Sequence, residues 1–223
     1  MQVTGLTRTG RLTSPVWVPR HLAESAAGPD HGLAQPRISW HSEAMEESAY
    51  LIRPPGAGDV EALGALHCRV WQEAYVGLMD EAAFAELTPE RFARSWERRL
   101  VAAEPDGQTE VLLVEGHSAR GERVAVAECA DGLVGFISVG PARDDDGPTD
   151  TQLWAINVVA EHYGTGLAQR LVDEVLGDGP AYLWVAEGND RAIRFYERNH
   201  FRLDGTSATD RNDGLVELRM VRR

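Results

Sequence analysis

The stretch Leu153–Leu171, reading LWAINVVAEHYGTGLAQRL, constrains the fold of this chain more than any other. It opens on a dense apolar run, Leu153 to Val159, rich in β-branched and aromatic residues and short enough for a buried strand. A polar turn follows at Ala160–Tyr163, then Gly164-Thr165-Gly166, then a helical face of Leu167, Leu171, Val172, Val175 and Leu176. A strand, a glycine turn and a helix N-terminus together make an anion site, because the first helical N–H groups lack partners and the peptide dipoles add partial positive charge. Glycine lets a phosphate approach the backbone without a Cβ in the way. The expectation from this stretch is a cradle for the pyrophosphate of a nucleotide-bearing cofactor. The competing reading is a tight turn where a helix packs close to a strand.

The turn does not fit the commoner nucleotide motifs. A dinucleotide fold wants a third glycine near the start of a βαβ series, and a P-loop wants a lysine after its last glycine. Neither is present here.

Around this stretch, residues 1–44 are punctuated by Ser, Thr, Gly and Pro and hold no period. They read as a flexible extension docking through Trp17, or as sequence upstream of a natural start at Met45; ordered structure is expected from 45 to 223 as one domain. Tyr50–Arg53 reads as a short strand closed by Pro54-Pro55. Asp59 reads as the N-cap of a helix carrying Val60, Leu63, Val70, Trp71 and Ala74. A helical segment follows from Asp80 to Leu87, and a third helix starts at Thr88-Pro89-Glu90, where Thr caps and Pro takes the first turn. Strands are expected at Val111–Val114, Arg123–Cys129 and Leu133–Val139, the last two joined by the Ala130-Asp131-Gly132 turn. Tyr182–Val185 reads as a buried strand, Asn189 as the start of a helix, and 201–220 as a closing hairpin. One strand, helices, a meander, two strand–helix units and a hairpin make α+β with a mixed sheet rather than regular βαβ alternation.

Composition excludes several functions. The chain has 223 residues with a formal net charge of −13, so nucleic acid is not an expected partner. An amine-bearing substrate suits the acidic field better. Cys68 and Cys129 stand apart with no Cys/His cluster, which argues against a disulfide framework or a zinc site and fits a reducing, cytoplasmic compartment. No apolar run approaches the ~18 residues of a membrane span. Asp144-Asp145-Asp146 could hold a metal, but nothing nearby completes a ligand set, so it reads as a solvated loop and no metal is expected.

A second segment gives the glycine turn its meaning. Asn189 to Phe201 reads NDRAIRFYERNHF, matching N-x-x-A-x-x-F-Y-x-x-x-x-F, and Val158 to Gly166 matches V-x-x-x-x-x-G-x-G/A. Together they resemble the GNAT superfamily of acetyl-CoA-dependent N-acetyltransferases, over roughly Leu133 to Phe201. A weaker likeness covers Trp71 to Gly77 and Trp96. The resemblance implies a mixed, mostly antiparallel central sheet flanked by helices, and acetyl-CoA as co-substrate with no metal. It implies a V-shaped opening between Leu153–Val159 and Tyr182–Val185, where Ile156, Asn157 and Val158 supply backbone contacts to the pantetheine arm. Amides of Tyr163, Gly164, Thr165, Gly166, Leu167 and Ala168 hold the pyrophosphate, with Arg170 as an added cation. Asn189 caps its helix and reaches the cofactor, and Tyr196 serves as general acid to the departing thiolate.

The sequence departs from the family pattern in places. Glu161 and Tyr163 stand where Arg or Gln and a basic residue are usual, and His200 stands where relatives carry Gly. Gln152 replaces the glutamate that often serves as general base, leaving Glu128, His67, Asp150 or a water chain as candidates. A neutral amine can attack directly, so a missing carboxylate is compatible with activity. Cys68 or Cys129 as an acyl carrier has no paired base to support it. The leading reading is an N-acetyltransferase acting on a primary amine of a small molecule, peptide or protein, with a homodimer left open. The alternative is a non-catalytic acyl-CoA-binding or regulatory module on the same fold.

Overall fold

The computed structural model describes residues 49–76, 79, 81–103, 109–111, 113–114, 117–118, 121–209 and 215–223, with side chains described outside 101–120. The N-terminal extension with Trp17 and Met45, the helix start at Asp80, and Gly77 of the Trp71–Gly77 motif fall outside the described residues.

The chain begins with β1 (Leu51–Arg53), a 3-10 turn at Ala57–Asp59, and α1 (Val60–Tyr75). Asp59 stands at the N-cap of α1, but its carboxylate accepts from the Gly56 amide and from the Arg53 guanidinium instead of capping α1. Short α2 (Glu81–Ala85) leads to α3 (Pro89–Leu100), whose Arg91 amide donates to Thr88 Oγ1 as the cap signal predicts. β2 (Val101–Ala103) pairs with β3 (Thr109–Val111), and β4 (Leu113–Val114) pairs with β5 (His117–Ser118). Of the expected strand at 111–114, the described residues lie in β3 and β4. The meander of β6 (Arg123–Cys129), β7 (Gly132–Pro141) and β8 (Thr151–Val158) follows. Then come α4 (Leu167–Leu171), a π turn at Val172–Leu176, β9 (Ala181–Ala186), α5 (Asp190–Arg198), β10 (Arg202–Thr209) and β11 (Val216–Arg222).

The main sheet runs β10-β11-β9-β8-β7-β6-β5-β4, with β1 also pairing β6. Its ladders are antiparallel except for β8–β9, which is parallel. Two faces follow from the alternation of side chains along a strand. Gly135 lies under Val158 and Leu171, on the α4 side. Phe136, one residue on, meets the rings of His67 on α1 and Trp96 on α3 at 4.9 and 5.0 Å. So α1 and α3 cover one face of the sheet and α4 the other. The two helices of the first face touch through Gly64: a Cβ there would lie 2.7 Å from the Cβ and the amide of Ala93.

Candidate active site

β8 and β9 form one residue pair, Gln152 with Tyr182, and then stop pairing. From Leu153 onward the β8 backbone therefore presents an edge that no strand among the described residues completes, and such an edge needs hydrogen-bonding partners. The apex is stitched by side chains. The Tyr182 hydroxyl donates to Gln152 Oε1 at 3.0 Å, and the Arg143 amide donates to the same oxygen at 3.1 Å. Gln152 is fully buried. Its carboxamide thus anchors the 142–150 loop to the apex. Ile156, Asn157 and Val158 line the β8 side of the opening, all buried. Asn157 adds a feature the backbone reading missed: both polar atoms of its buried side chain lack a hydrogen-bond partner among the described residues. Orphaned buried polar groups each cost about 1–3 kcal/mol unless something satisfies them.

Beyond β8 the turn holds two left-handed glycines. Gly164 and Gly166 adopt φ of 75° and 83°, a left-handed conformation that favours glycine. The N–H groups of Gly164, Thr165 and Gly166 make no hydrogen bond among the described residues, whereas two neighbours are engaged. The Tyr163 N–H donates to the Ala160 carbonyl at 3.1 Å, and the Leu167 N–H leans on Thr165 Oγ1 at 3.4 Å. These two amides help to hold the shape of the turn itself. A cavity of about 290 Å³ opens over Gly164, Gly166 and Ala168, with Arg191 and Arg198 on its far wall.

Those two arginines place cationic groups on the cavity wall. Arg170, the expected one, turns away to Glu174 at 3.3 Å and the Tyr50 carbonyl at 3.4 Å. Arg191 stacks 3.7 Å over the Tyr163 ring, and burial lowers its pKa from the ordinary value. Burial likewise pushes the Tyr163 phenol up to about 12. So Tyr163 acts as a platform for a guanidinium, which explains an aromatic where a basic residue is usual. The arginine pair has a sequence signal: positions 191 and 198 are seven apart and share a helix face. Glu161 is also explained. It pairs with Arg69 of α1, and its own backbone amide and Arg69 hold its carboxyl below the usual range. The Tyr50 hydroxyl is hydrogen-bonded to His162 Nδ1 at 2.8 Å, so the turn is pinned from two elements.

On α5, Asn189 Oδ1 accepts from the Ala192 amide at 3.1 Å, the capping bond its position implies. Tyr196 is 2% exposed, lies 5.5 Å from the Phe195 ring and 6.0 Å from Phe201, and burial raises its phenol pKa.

The opposite, α1/α3 face holds a second cavity of about 180 Å³, walled by His67, Ser95, Trp96, Arg99, Ser138 and Arg143 and floored by Trp154 and Ala155. A bulge shapes the floor. Ser138 pairs with Ala155 and Val139 with Leu153, so Trp154 is an extra residue on β8. Its indole lies over Gly140, where a Cβ would come within 2.3 Å. Of the candidate bases, Glu128 is spent on Arg53 at 2.7 Å on the β1 edge, and Asp150 is exposed. His67 reaches the cavity, but burial and then the Arg99 charge depress its pKa to about 3. It is neutral at ordinary pH and can pass a proton on more readily than hold one. Asp144 and Asp146 of the acidic loop bind Trp184 Nε1 at 2.7 Å and Arg219 at 3.1 Å, and no His/Cys/Asp/Glu group among the described residues could hold a metal.

Known proteins resemble this chain in sequence and in fold. A family model described as Acetyltransferase (GNAT) family matches residues 82–201. A probable N-acetyltransferase of Mycobacterium tuberculosis is 25% identical over 168 residues, covering 74% of this chain and 87% of that protein. The solved structure of PH1933 from Pyrococcus horikoshii superposes with a TM-score of 0.53 at 22% identity, covering 78% of this chain and 98% of that one. A chimeric spermidine N-acetyltransferase SpeG from Vibrio cholerae aligns at 18% identity with a TM-score of 0.49, over 78% and 95% of the two chains. With more than half of its length matched by the family model, the chain belongs to the GNAT family of acetyltransferases and is an acyltransferase.

Proposed function

We propose that residues 45–223 form one catalytic domain that moves an acetyl group from acetyl-CoA to the neutral amine of a primary-amine acceptor by direct attack. The observation that carries this is the β8–β9 ladder, which ends after one pair and leaves an interior backbone edge for an amide-bearing arm. Acetyl-CoA supplies an activated thioester, whose carbonyl the amine attacks and whose thiolate departs.

The chain's residues divide the work. Backbone groups of Ile156, Asn157 and Val158 pair with the pantetheine arm, and the orphaned Asn157 amide fits an arm that carries both donors and acceptors. Gly164, Thr165, Gly166 and Ala168 hold the pyrophosphate by backbone amides, with Arg191 and Arg198 neutralising its charge. Asn189 fixes the start of α5 and so the placing of Tyr196. A β8 amide near the bulge stabilises the developing oxyanion. Tyr196 donates to the leaving thiolate. Because burial raises its pKa, it keeps its proton until negative charge has built up on sulfur. His67, neutral in the cavity wall, relays the proton shed by the amine. An acyl-enzyme through Cys68 is disfavoured: burial pushes its thiol up, and Sγ donates to the Leu87 carbonyl at 3.3 Å. The free thiols of Cys68 and Cys129 support a cytoplasmic setting, and no helix among the described residues is long and apolar enough to cross a membrane.

Calorimetry with acetyl-CoA, followed by free-CoA release across an amine panel, tests this reading. Binding together with turnover of at least one amine is expected; absence of binding at millimolar acetyl-CoA would sink it, and binding without turnover would make the chain a non-catalytic module. Tyr196→Phe should lower kcat about 100-fold, the scale of one general acid, with acetyl-CoA affinity unchanged. Undiminished kcat would remove Tyr196 from that role.

A further inference from the structure

The cavity on the α1/α3 face is a wall of hydrogen-bond donors. Trp96 lines it while 1% exposed, and its Nε1–H has no hydrogen-bond partner among the described residues. Arg99 gives Nε to Glu122 at 3.1 Å and Nη2 to Glu122 and to Ser138 Oγ, the latter at 2.7 Å. Its Nη1 makes no hydrogen bond among the described residues. The Arg143 guanidinium lies 3.4 Å over the Trp154 ring at the mouth. Ser95 adds a hydroxyl. Among the described residues no carboxylate lines the cavity. Glu122, which stands behind Arg99, has its Oε1 taken by Arg99 and by Ser138 at 3.3 Å, and Asp144 is turned to Trp184. In a chain of net charge −13 this pocket is a local reversal of sign.

Resting on the acetyltransferase reading, we infer that this cavity selects the acceptor by an anionic group: the substrate is a small amine that also carries a carboxylate, seated against Arg99, Arg143 and the Trp96 N–H. A planar carboxylate meets a guanidinium through paired N–H···O bonds, and it offers a lone pair to the buried Trp96 Nε1–H, which has no acceptor among the described residues. A polyamine would bring cations to a wall of cations and leave Trp96 Nε1 unsatisfied. The cavity volume, about 180 Å³, is below the ~300 Å³ at which drug-sized sites begin, so it admits a head group of amino-acid size rather than a large ring system. Geometry sets the direction of the amine. The cavity floor is Trp154 and Ala155, at the β8 bulge, and these residues also edge the opening between β8 and β9. A molecule held by its carboxylate among the arginines turns its amine toward that shared stretch.

The test uses matched acceptors: an amino acid, its carboxamide and the corresponding decarboxylated amine, with spermidine as the dicationic extreme. Each is followed by CoA release at saturating acetyl-CoA and by calorimetric binding to the CoA-loaded protein. The carboxylate member should lead in kcat/KM or affinity by about ten- to hundredfold, the range of one or two charge-assisted hydrogen bonds. Arg143→Gln and Trp96→Phe, both mild enough to keep the fold, should each cut that preference several-fold and leave acetyl-CoA affinity as it was. Equal or better use of the carboxamide, the bare amine or spermidine overturns the inference while leaving the acetyltransferase reading intact. So does a carboxylate preference untouched by both variants. If no amine is acetylated, the acetyltransferase reading fails, and the binding arm still decides: Arg143-dependent carboxylate binding supports the site, and no binding at millimolar ligand overturns it.

Discussion

The two cavities on either side of the split sheet are built by opposite means. The cofactor-side cavity is made mostly from one run of chain, Val158 to Gln169, completed by one face of α5. Its chemistry is backbone: left-handed glycines, amides unpaired among the described residues, a helix start. The α1/α3 cavity is assembled from side chains on α1, α3, β7, the following loop and β8. On the function proposed above, the co-substrate is held by backbone and a few residues close in sequence, and the amine by side chains drawn from distant segments. The two meet at β8, whose edge serves one and whose bulge floors the other.

The comparison can be broken first on its cofactor side. Replacing Arg191 and Arg198 together by Ala should weaken acetyl-CoA binding by on the order of 100-fold or more, two charge-assisted contacts being lost. The ranking of acceptors should not move. Calorimetry with acetyl-CoA, set beside an acceptor panel at saturating cofactor, reads both. If the acceptor ranking shifts as well, the two cavities are not independent. Next comes Gly140→Ala. A Cβ at 140 would meet the Trp154 ring, so the bulge must move or the indole must leave; overpacking of this kind costs about 1–3 kcal/mol. Chemical denaturation should show that loss, and acceptor KM should rise while acetyl-CoA affinity holds. A variant as stable as the parent, with unchanged acceptor KM, would mean that the Trp154 floor has no part in the acceptor site.

This asymmetry also decides what was legible in the sequence. The order of elements, the glycine turn, the Asn189 cap and the burial of Tyr196 could be read because each is local: a run, a spacing, a cap. Gln152 could be located as the missing glutamate, but not as the acceptor that ties Tyr182 and Arg143 to the apex, since those partners lie 30 residues after it and 9 before it. Arg170 was a natural choice of cation from its nearness to the turn, yet nearness along the chain placed it on the wrong side of the helix. Arg191 and Arg198 carried the signal in their spacing. The donor wall of Trp96, Arg99 and Arg143 had no linear signature, because it exists only once Gly64 lets α1 and α3 pack together over the sheet.

His67 sharpens the comparison through pH. Its ring sits 4.4 Å from Phe92 and 4.9 Å from Phe136, with the Arg99 charge nearby, and burial first holds its pKa near 3 against about 6.5 in an unfolded chain. Between those values the unfolded chain binds the proton and the folded one does not, so this contribution is full above pH 6.5 and is lost as pH falls toward 3. At pH 5 the loss relative to pH 7 is about 2 kcal/mol. Denaturant titrations at both pH values, on the parent and on His67→Gln, should show the acid loss shrinking in the variant. An equal loss in both would show that His67 protonates freely in the folded state and that the cavity wall is wetter than its burial implies.

The smallest effect is expected at the end of α5, the helix that carries residues for the cofactor side. His200 has φ 67°, the one positive value at a non-glycine among the described residues. The cause is a Schellman stop. The Phe201 N–H donates to the Tyr196 carbonyl at 3.0 Å and the His200 N–H to the Glu197 carbonyl at 3.1 Å, with the Phe201 ring 6.0 Å from that of Tyr196. That geometry wants Gly after the cap. A left-handed L-residue costs about 1–2 kcal/mol, and glycine's extra freedom in the unfolded chain gives back about 0.5–1 of it. His200→Gly should therefore stabilise the protein by roughly 0.5–1 kcal/mol, read from denaturation midpoints. Because the exposed imidazole touches neither cavity, acetyl-CoA affinity and acceptor ranking should stay as they are. A destabilised variant would mean that His200 earns its place through a contact stronger than the backbone strain, and a changed cofactor affinity would mean that the stop sets the angle at which α5 presents Arg191 and Arg198.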